Sequence, residues 1–522
     1  MKEKNRTTVP FWYPWPIFDR MARMLLFLLS FVLFQGTRGQ TRVETEFRGF
    51  WIATINHIDW PQPNHFNPQH QQKEFLRILD FYESLNFNAV FVQIRPAGDA
   101  FYESKLAPWS RFLTGEEGGK MNWDEDPLRF MIKEAHKRNM EFHAWFNPFR
   151  ATSNLDLASL HAKHVYYDHP DWLVRYGKRY HLDPGKPEVR EYVVKVVQEV
   201  VEKYNIDGVH FDDYFYPYPE TGMDFDDRKT FIRWGIKHFN NREDWRRANI
   251  DSLVYAVHNM IETTKPWLKF GISPFGVWQN KADDPRGSET SADHSNYHDL
   301  FADPLVWIEN HWVDYLAPQL YWSHYHEKAS YKTLALWWNA QAQDVPIYTG
   351  HALYKVGNNE DQVWQDLNEI PRQLALNKSL ENIQGSIFFS AKSLQQFPRL
   401  AEKLSESFFQ AWRFPSIRDN KKLDTGAPAI KTIKALRNTL FVDLEVQELD
   451  DEELSILILD NEMGSENQII AQEKLTKNLQ VQLTGERMEL VLAYFNKFRQ
   501  LSLQSRVIKA EKINGRWNVV VL

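Results

Sequence analysis

Asp212 and Asp213 stand side by side at the end of the run Ile206-Asp207-Gly208-Val209-His210-Phe211-Asp212-Asp213-Tyr214-Phe215-Tyr216-Pro217. An apolar segment that breaks into adjacent carboxylates, aromatics and proline has the form of the catalytic end of a (β/α)8 barrel strand. Hydrolysis of a glycosidic bond needs two carboxyl groups, one kept protonated near neutral pH and one ionised. Crowded carboxylates beside Phe211, Tyr214 and Phe215 meet that need, because burial and like charge both raise a carboxyl pKa. Neighbouring residues on an extended strand point to opposite sides. One Asp therefore faces a substrate and the other holds His210 or a turn, unless the strand ends between them. The bland alternative is a solvated pair capping the next helix, a role Asp fills well.

Other residues of the same character fall at regular intervals. Asn56 and Asp59 follow one apolar run, and Arg95 and Asp99 the next. His143, Trp145 and Asn147 end a third, Gln319, Tyr321 and Trp322 a later one, and His351 another. Singly, each has a structural explanation as a cap, a turn residue or core. Together on one rim they describe a cleft with polar groups for sugar hydroxyls and flat rings for stacking. Asp213 and Asp212 are the candidate catalytic pair. Trp51, Arg95, His143, Trp145, Asn147, His210, Tyr214, Gln319, Tyr321 and Trp322 are the candidate substrate contacts. A metal site built from His143, His210 and Asp212 is the competing use, but metal-dependent barrels usually show a clearer His-x-His pair than these residues make, and no metal or cofactor is assigned. Neither a nucleophile elbow nor a Walker loop is visible.

The elements that must position these residues alternate between strand and helix. Strands are expected at Gly49–Thr54, Ala89–Pro96, Glu141–Pro148, Ile206–Phe211, Phe270–Pro274, Asp314–Trp322, Pro346–His351 and Gly385–Ser390. Helices are expected at Gln69–Leu85, Asp126–Asn139, Pro187–Tyr204, Asp244–Thr264, Tyr331–Gln343, Asp361–Leu376 and Ser393–Ser405. Eight such strands give an α/β chain with a TIM barrel over residues 45–412. A doubly wound open sheet is the alternative, weakened because no glycine-rich phosphate loop follows any strand. After Trp412-Arg413-Phe414-Pro415 the texture changes. Residues 421–428 read as a linker. Residues 427–522 carry short alternating runs (Leu440–Val446, Ser455–Leu459, Leu490–Tyr494, Trp517–Leu522) and an Asn514-Gly515 turn, which predicts a small all-β sandwich of fibronectin type III character. It has no clustered carboxylates or histidines and reads as accessory.

Composition narrows the partners. The 522 residues include 20 Trp, 21 Tyr and 35 Phe, more ring surface than an ordinary core needs. A net charge of -7 and the lack of a basic stripe argue against nucleic acid. The absence of cysteine excludes disulfides, zinc–thiolate sites and a cysteine nucleophile. Leu25 to Phe34 is a ten-residue apolar run preceded by Arg20 and Arg23, as in a secretory signal. Residues 1–40 are therefore expected to be an extension and signal segment, with cleavage near Gly39 or Gln40. The mature body would then be exported to the periplasm or cell surface with no membrane segment.

Several motifs resemble the glycosyl-hydrolase-like 10 proteins, a family of exported bacterial barrels. They are Arg48–Thr54, Val92–Pro96, His143–Pro148, His181–Pro184, Asp207–Pro217 and Ala317–Trp322, in that order over roughly residues 45–410. The resemblance implies a (β/α)8 glycoside hydrolase that cleaves peptidoglycan glycan strands lacking their peptides, with a polysaccharide as the only partner. A lipid-anchoring cysteine, common in the family, is missing here. A looser similarity is to family-18 chitinases, whose fourth strand reads Asp-Gly-x-Asp-x-Asp-x-Glu. Asp207, Gly208 and Asp212 match, whereas His210 replaces an Asp and Tyr214 stands in place of the acid. That similarity implies a substrate-assisted route in which the sugar acetamide is the nucleophile and Tyr321 holds it. A glycan-binding barrel without catalysis and a metal-dependent deacetylase are the alternative functions.

Overall fold

The computed structural model describes residues 45–415, 427–445, 455–460, 468–474, 478–496, 502 and 504–522. The apolar run at Leu25–Phe34 and residues 421–426 of the expected linker lie outside them. Eight parallel strands form a closed barrel: β1 (Phe47–Ile52), β2 (Ala89–Arg95), β3 (Glu141–Phe146), β4 (Gly208–Phe211), β5 (Lys269–Ile272), β6 (Tyr315–Leu316), β7 (Ile347–Ala352) and β8 (Ile383–Phe389). Each strand pairs with its neighbours in sequence, and β1 closes on β8 with Phe47 opposite Gly385. Closure excludes the open sheet.

The outer layer follows the expected rhythm. Helix α1 (Pro68–Glu83) starts at Asn67, whose side chain accepts the His70 N–H, and α2 (Pro127–His136) starts at Asp126, which accepts two. In both a proline occupies the first turn, where its missing N–H costs nothing. α3 (Pro187–Lys203) and α4 (Arg242–Thr264) pack together outside β4. Two expected helices are broken. Asp361–Leu376 divides into a 3₁₀ turn at Gln362–Gln365 and a helix at Glu369–Asn377. Ser393–Ser405 divides at Pro398, which opens a new helix, Pro398–Ser407. No described helix is long and apolar enough to cross a membrane.

The barrel interior is aromatic and polar rather than aliphatic. Phe47 stacks on Tyr348 at 4.1 Å, and Phe91 on His143 at 4.5 Å. Glycines make room for these rings. A Cβ at Gly208 would lie 2.2 Å from His143 Nδ1, and one at Gly271 would lie 2.0 Å from the Tyr315 ring. A seam residue closes the barrel top: Asp59 accepts hydrogen bonds from Ala53 N (2.8 Å), Ser390 Oγ (2.6 Å) and Lys392 N (2.9 Å), tying the end of β1 to the end of β8.

A small β-sandwich follows. Its strands are β9 (Ala429–Leu436), β10 (Thr439–Glu445), β11 (Ser455–Asp460), β12 (Gln468–Lys474), β13 (Asn478–Gln482), β14 (Arg487–Phe495), β15 (Ile508–Ile513) and β16 (Arg516–Val521). One sheet has the order β9-β10-β13, the other β12-β11-β14-β15-β16. Leu440 and Val442 from the first share a core with Ile456, Ile458, Leu490 and Leu492 from the second. The β15–β16 turn is made by Asn514 and Gly515, both at positive φ, as an Asn-Gly hairpin requires. Phe495 packs edge-on against Phe414 at the end of the barrel.

Candidate active site

β4 ends at Phe211, so both carboxylates lie beyond the strand and the alternation rule no longer separates them. Asp212 continues the inward series of Gly208 and His210. Its Oδ2 accepts from Trp145 Nε1 at 3.2 Å and from the Asn147 amide, and its Oδ1 accepts from Tyr214 N at 3.3 Å. Asn147 is itself fixed: Gln93 Nε2 donates to its Oδ1 at 2.5 Å, while Gln93 Oε1 accepts from the N–H groups of Thr54 and Ile55, both at 3.0 Å. The ends of β1, β2 and β3 thus converge on one carboxylate. Asp213 accepts from the Tyr218 hydroxyl and is stabilised by the Gln319 amide, whose Nε2 also donates to Ser273 O at 2.9 Å.

Burial raises the pKa of both carboxyls, and their mutual repulsion adds to the rise at Asp212, while the Arg150 guanidinium opposes it at both. Asp212 has three N–H donors and Asp213 has a hydroxyl and an amide. Hydrogen bonds to the charged form favour ionisation, and both carboxyls accept them, so the crowded, buried pair shares one proton near neutral pH, with Asp212 raised to about 7.

The other expected contacts divide into three groups. Tyr214, Gln319, Tyr321 and Trp322 remain partly exposed at the mouth. Tyr321 lies near Tyr354 and Phe389, at 6.0 and 6.2 Å between ring centroids, and its hydroxyl is pushed well above its ordinary pKa by burial, by Tyr354 and by the Asp pair. Trp145 and Asn147 are at the site but buried, so they position Asp212, and Trp145 is not an open stacking surface.

Arg95, His143, His210 and Trp51 are corrections. The pairing register shifts between Gln93 and Arg95, which turns Arg95 outward onto α3, where its Nη2 donates to the Tyr192 hydroxyl at 3.1 Å. His143 and His210 are fully buried within the barrel, with Nδ1 atoms 2.9 and 3.1 Å from the Tyr315 hydroxyl. His143 Nε2 lies 3.2 Å from Glu141, which pairs with Lys269 at 2.8 Å. His210 Nε2 lies 3.0 Å from Ser273 Oγ and 3.2 Å from Trp51 Nε1. All four ring nitrogens are engaged, which removes the two imidazoles from the alternative metal set. Trp51 is 2% exposed, closed in by Phe91, His210 and Phe389, and offers no face to a sugar. His351 is likewise core, bound to Gln373 at 2.8 Å and Ser386 at 3.0 Å.

Residues not singled out from the sequence complete the site. Gln93 and Tyr218 orient the two carboxylates. Arg150 lies over the Tyr214 ring, 4.8 Å from its centroid. Its signal was its position three residues beyond Asn147 in the same strand-end motif. Tyr218 stands in Tyr216-Pro217-Tyr218-Pro219, one residue beyond the end of the Ile206–Pro217 run.

The sequence profile described as glycosyl hydrolase-like 10 matches residues 46–366. Glycosyl hydrolase YngK of Bacillus subtilis (strain 168) is 45% identical over 383 residues, 72% of this chain and 75% of that protein. Glycosyl hydrolase DigH of Escherichia coli (strain K12) is 38% identical over 365 residues, 66% of this chain and 82% of that protein. Among solved structures, the PgaB (BpsB) glycoside hydrolase domain from Bordetella bronchiseptica superposes with a TM-score of 0.43 at 14% identity, over 69% of this chain and 98% of that one. The profile covers every residue of the carboxylate site and more than half of the chain: the chain belongs to the glycosyl hydrolase-like 10 family.

Proposed function

We propose that this glycoside hydrolase cleaves glycosidic bonds in an N-acetylhexosamine polymer, namely peptide-free peptidoglycan glycan strands, outside the cytoplasm. Asp213 acts as general acid on the leaving oxygen. Asp212 stays ionised and stabilises positive charge as it develops on the substrate during bond cleavage. Tyr321 and Gln319 flank the pair as hydrogen-bonding groups for the sugar, and Tyr214 and Trp322 are its stacking surfaces. The observation that carries this reading is the unequal setting of two adjacent buried carboxyls, three N–H donors on Asp212 against a hydroxyl and an amide on Asp213. Paired carboxyls of unlike environment are how acid and base roles are divided at one pH. The similarity of Asp207, Gly208 and Asp212 to the family-18 chitinase strand supports a route in which the sugar acetamide is the nucleophile and Asp212 bears on that group.

The experiment is release of reducing ends from purified peptide-free strands. Asp213→Asn and Asp212→Asn should each lower kcat/KM by about a hundredfold to ten-thousandfold, the usual range for a positioned acid or base. In Asp213→Asn the loss should be smaller for an aryl glycoside, whose leaving group needs no proton. Full activity in both variants rejects the assignment. Determination of the N-terminal residue of the exported protein tests the signal segment.

A further inference from the structure

Segment 149–152 runs antiparallel to the hairpin strand Arg179–Leu182, with Leu182 N donating to Phe149 O (2.8 Å), Ala151 N to Tyr180 O (3.1 Å) and a bridge between Arg150 and His181. Residues directly opposite in such a pair share a face, and so do residues two apart on one strand. Arg150, His181 and Arg179 therefore lie on one face, at the edge of the mouth where Tyr214 stands.

The two guanidiniums on this face have acidic neighbours, the Asp pair for Arg150 and Glu220 for Arg179, but among the described residues neither has a direct carboxylate partner. Arg150 is 5% exposed; its Nη1 donates to Pro96 O at 3.1 Å, and its Nε is buried with no partner. The Tyr214 ring supports its planar face. His181 adds no positive charge, because burial and the two arginines hold its pKa down to about 3. Arg179 is pushed down by burial and by Arg150, as two neighbouring cations must be, with Tyr214 and Glu220 pulling the other way.

We propose that Arg150 and Arg179, with Tyr214 beneath, form a subsite for a carboxylate carried on the sugar, beside the catalytic pair. Resting on the substrate reading above, the group is the lactyl carboxylate of the muramic acid residue. In a peptide-free strand it is ionised. In a peptide-bearing strand the same carbon is an amide, uncharged and extended by the stem peptide. A guanidinium discriminates strongly between those two states because its N–H donors match both oxygens of a carboxylate. The arginine pair, rather than the Asp pair, then selects strands from which the peptide has gone.

The test compares peptide-free strands with the same strands after their carboxyls have been converted to methylamides, using the full chain, Arg179→Gln and Arg150→Lys. The parent enzyme should prefer free carboxyls by about tenfold or more in kcat/KM, mostly through KM, as expected for lost charge-assisted hydrogen bonds. Arg179→Gln should bring that ratio close to one, and Arg150→Lys should retain part of it. Equal rates on both substrates by the parent enzyme overturn the subsite while leaving the hydrolase reading intact. Equal loss on both substrates in the variants also overturns it, assigning the arginines to folding or to the field at the Asp pair. If strands are bound but not cleaved, the same comparison is made on Kd and read the same way. Strands that are neither cleaved nor bound overturn subsite and substrate together.

Discussion

Asn147 decides where Asp212 points. Its amide is buried, held by Gln93 on one side, and donates to the carboxylate on the other. Replacing it with Ala leaves Asp212 with two donors and frees Gln93 Nε2 in a closed space. Loss of a hydrogen bond to a charged group lowers kcat/KM by about tenfold to a hundredfold. A donor to the ionised form lowers a carboxyl pKa, so its removal raises that of Asp212. The acid limb of the pH–rate profile should therefore move to higher pH in Asn147→Ala, a shift that a merely loosened fold would not produce. The expected roles of Arg95 and Trp51 fail at this same scale. Residue type does not say which way a side chain turns, and for Arg95 a one-residue shift of register settled it.

At the scale of elements, the barrel was legible because a strand buried on both faces reads as an unbroken apolar run. Seven of its eight strands begin and end within two residues of expectation, whereas the sixth, expected over Asp314–Trp322, is only Tyr315–Leu316. The short hairpin at Leu173–Tyr176 and Arg179–Leu182 was not seen, since four-residue strands inside a long excursion leave no periodic signal. Half of the sandwich strands were missed for a related reason: Ala429–Leu436, Gln468–Lys474, Asn478–Gln482 and Ile508–Ile513 are rich in Lys, Gln, Glu and Thr. The Asp212–Asp213 pair was legible as two carboxylates, but not their unlike settings, because those depend on Gln93, Asn147 and Tyr218 from three different elements. Asp59 shows the structural counterpart. It sits on the rim like a catalytic residue, yet its carboxylate ties β1 to β8 through three donors. Asp59→Ala leaves those donors unsatisfied and should destabilise the barrel by about 2–4 kcal/mol, measured as a lower midpoint in urea.

Across the whole molecule, buried ionisable groups set the pH range of stability. Burial brings His164, His181 and His351 down to about 4, 3 and 4, below their ordinary value. A base whose folded pKa is depressed stabilises the fold above its unfolded pKa, and that stability is lost as pH falls below about 6.5. Glu117 acts oppositely. Burial and the nearby Asp99 push it up to about 8, so the fold retains a proton that the unfolded chain has released, and its contribution is lost as pH rises from about 4 to about 8. Above pH 6.5 the imidazoles no longer change, whereas Glu117 still does, together with Asp212 and Asp251, which burial raises to about 7. The Tm should therefore fall between pH 6.5 and 8, and Glu117→Gln should flatten part of that slope in a thermal scan, leaving the share of the two aspartates.

The chain of side chains through the barrel centre has only one consistent arrangement of hydrogens. The Glu141 carboxylate can only accept, so His143 presents N–H at Nε2 and a bare Nδ1. That Nδ1 takes the Tyr315 hydroxyl proton, and the Tyr315 oxygen then accepts N–H from His210 Nδ1. His210 is left with a bare Nε2, which receives Trp51 Nε1–H and the Ser273 hydroxyl. The two imidazoles are thus opposite tautomers of a single directional wire running from the barrel floor toward the catalytic mouth. Reversing either ring, or adding one proton to it, would leave two donors facing each other where no water can mediate, so the barrel holds these histidines neutral and mismatched in tautomer for as long as it stays closed.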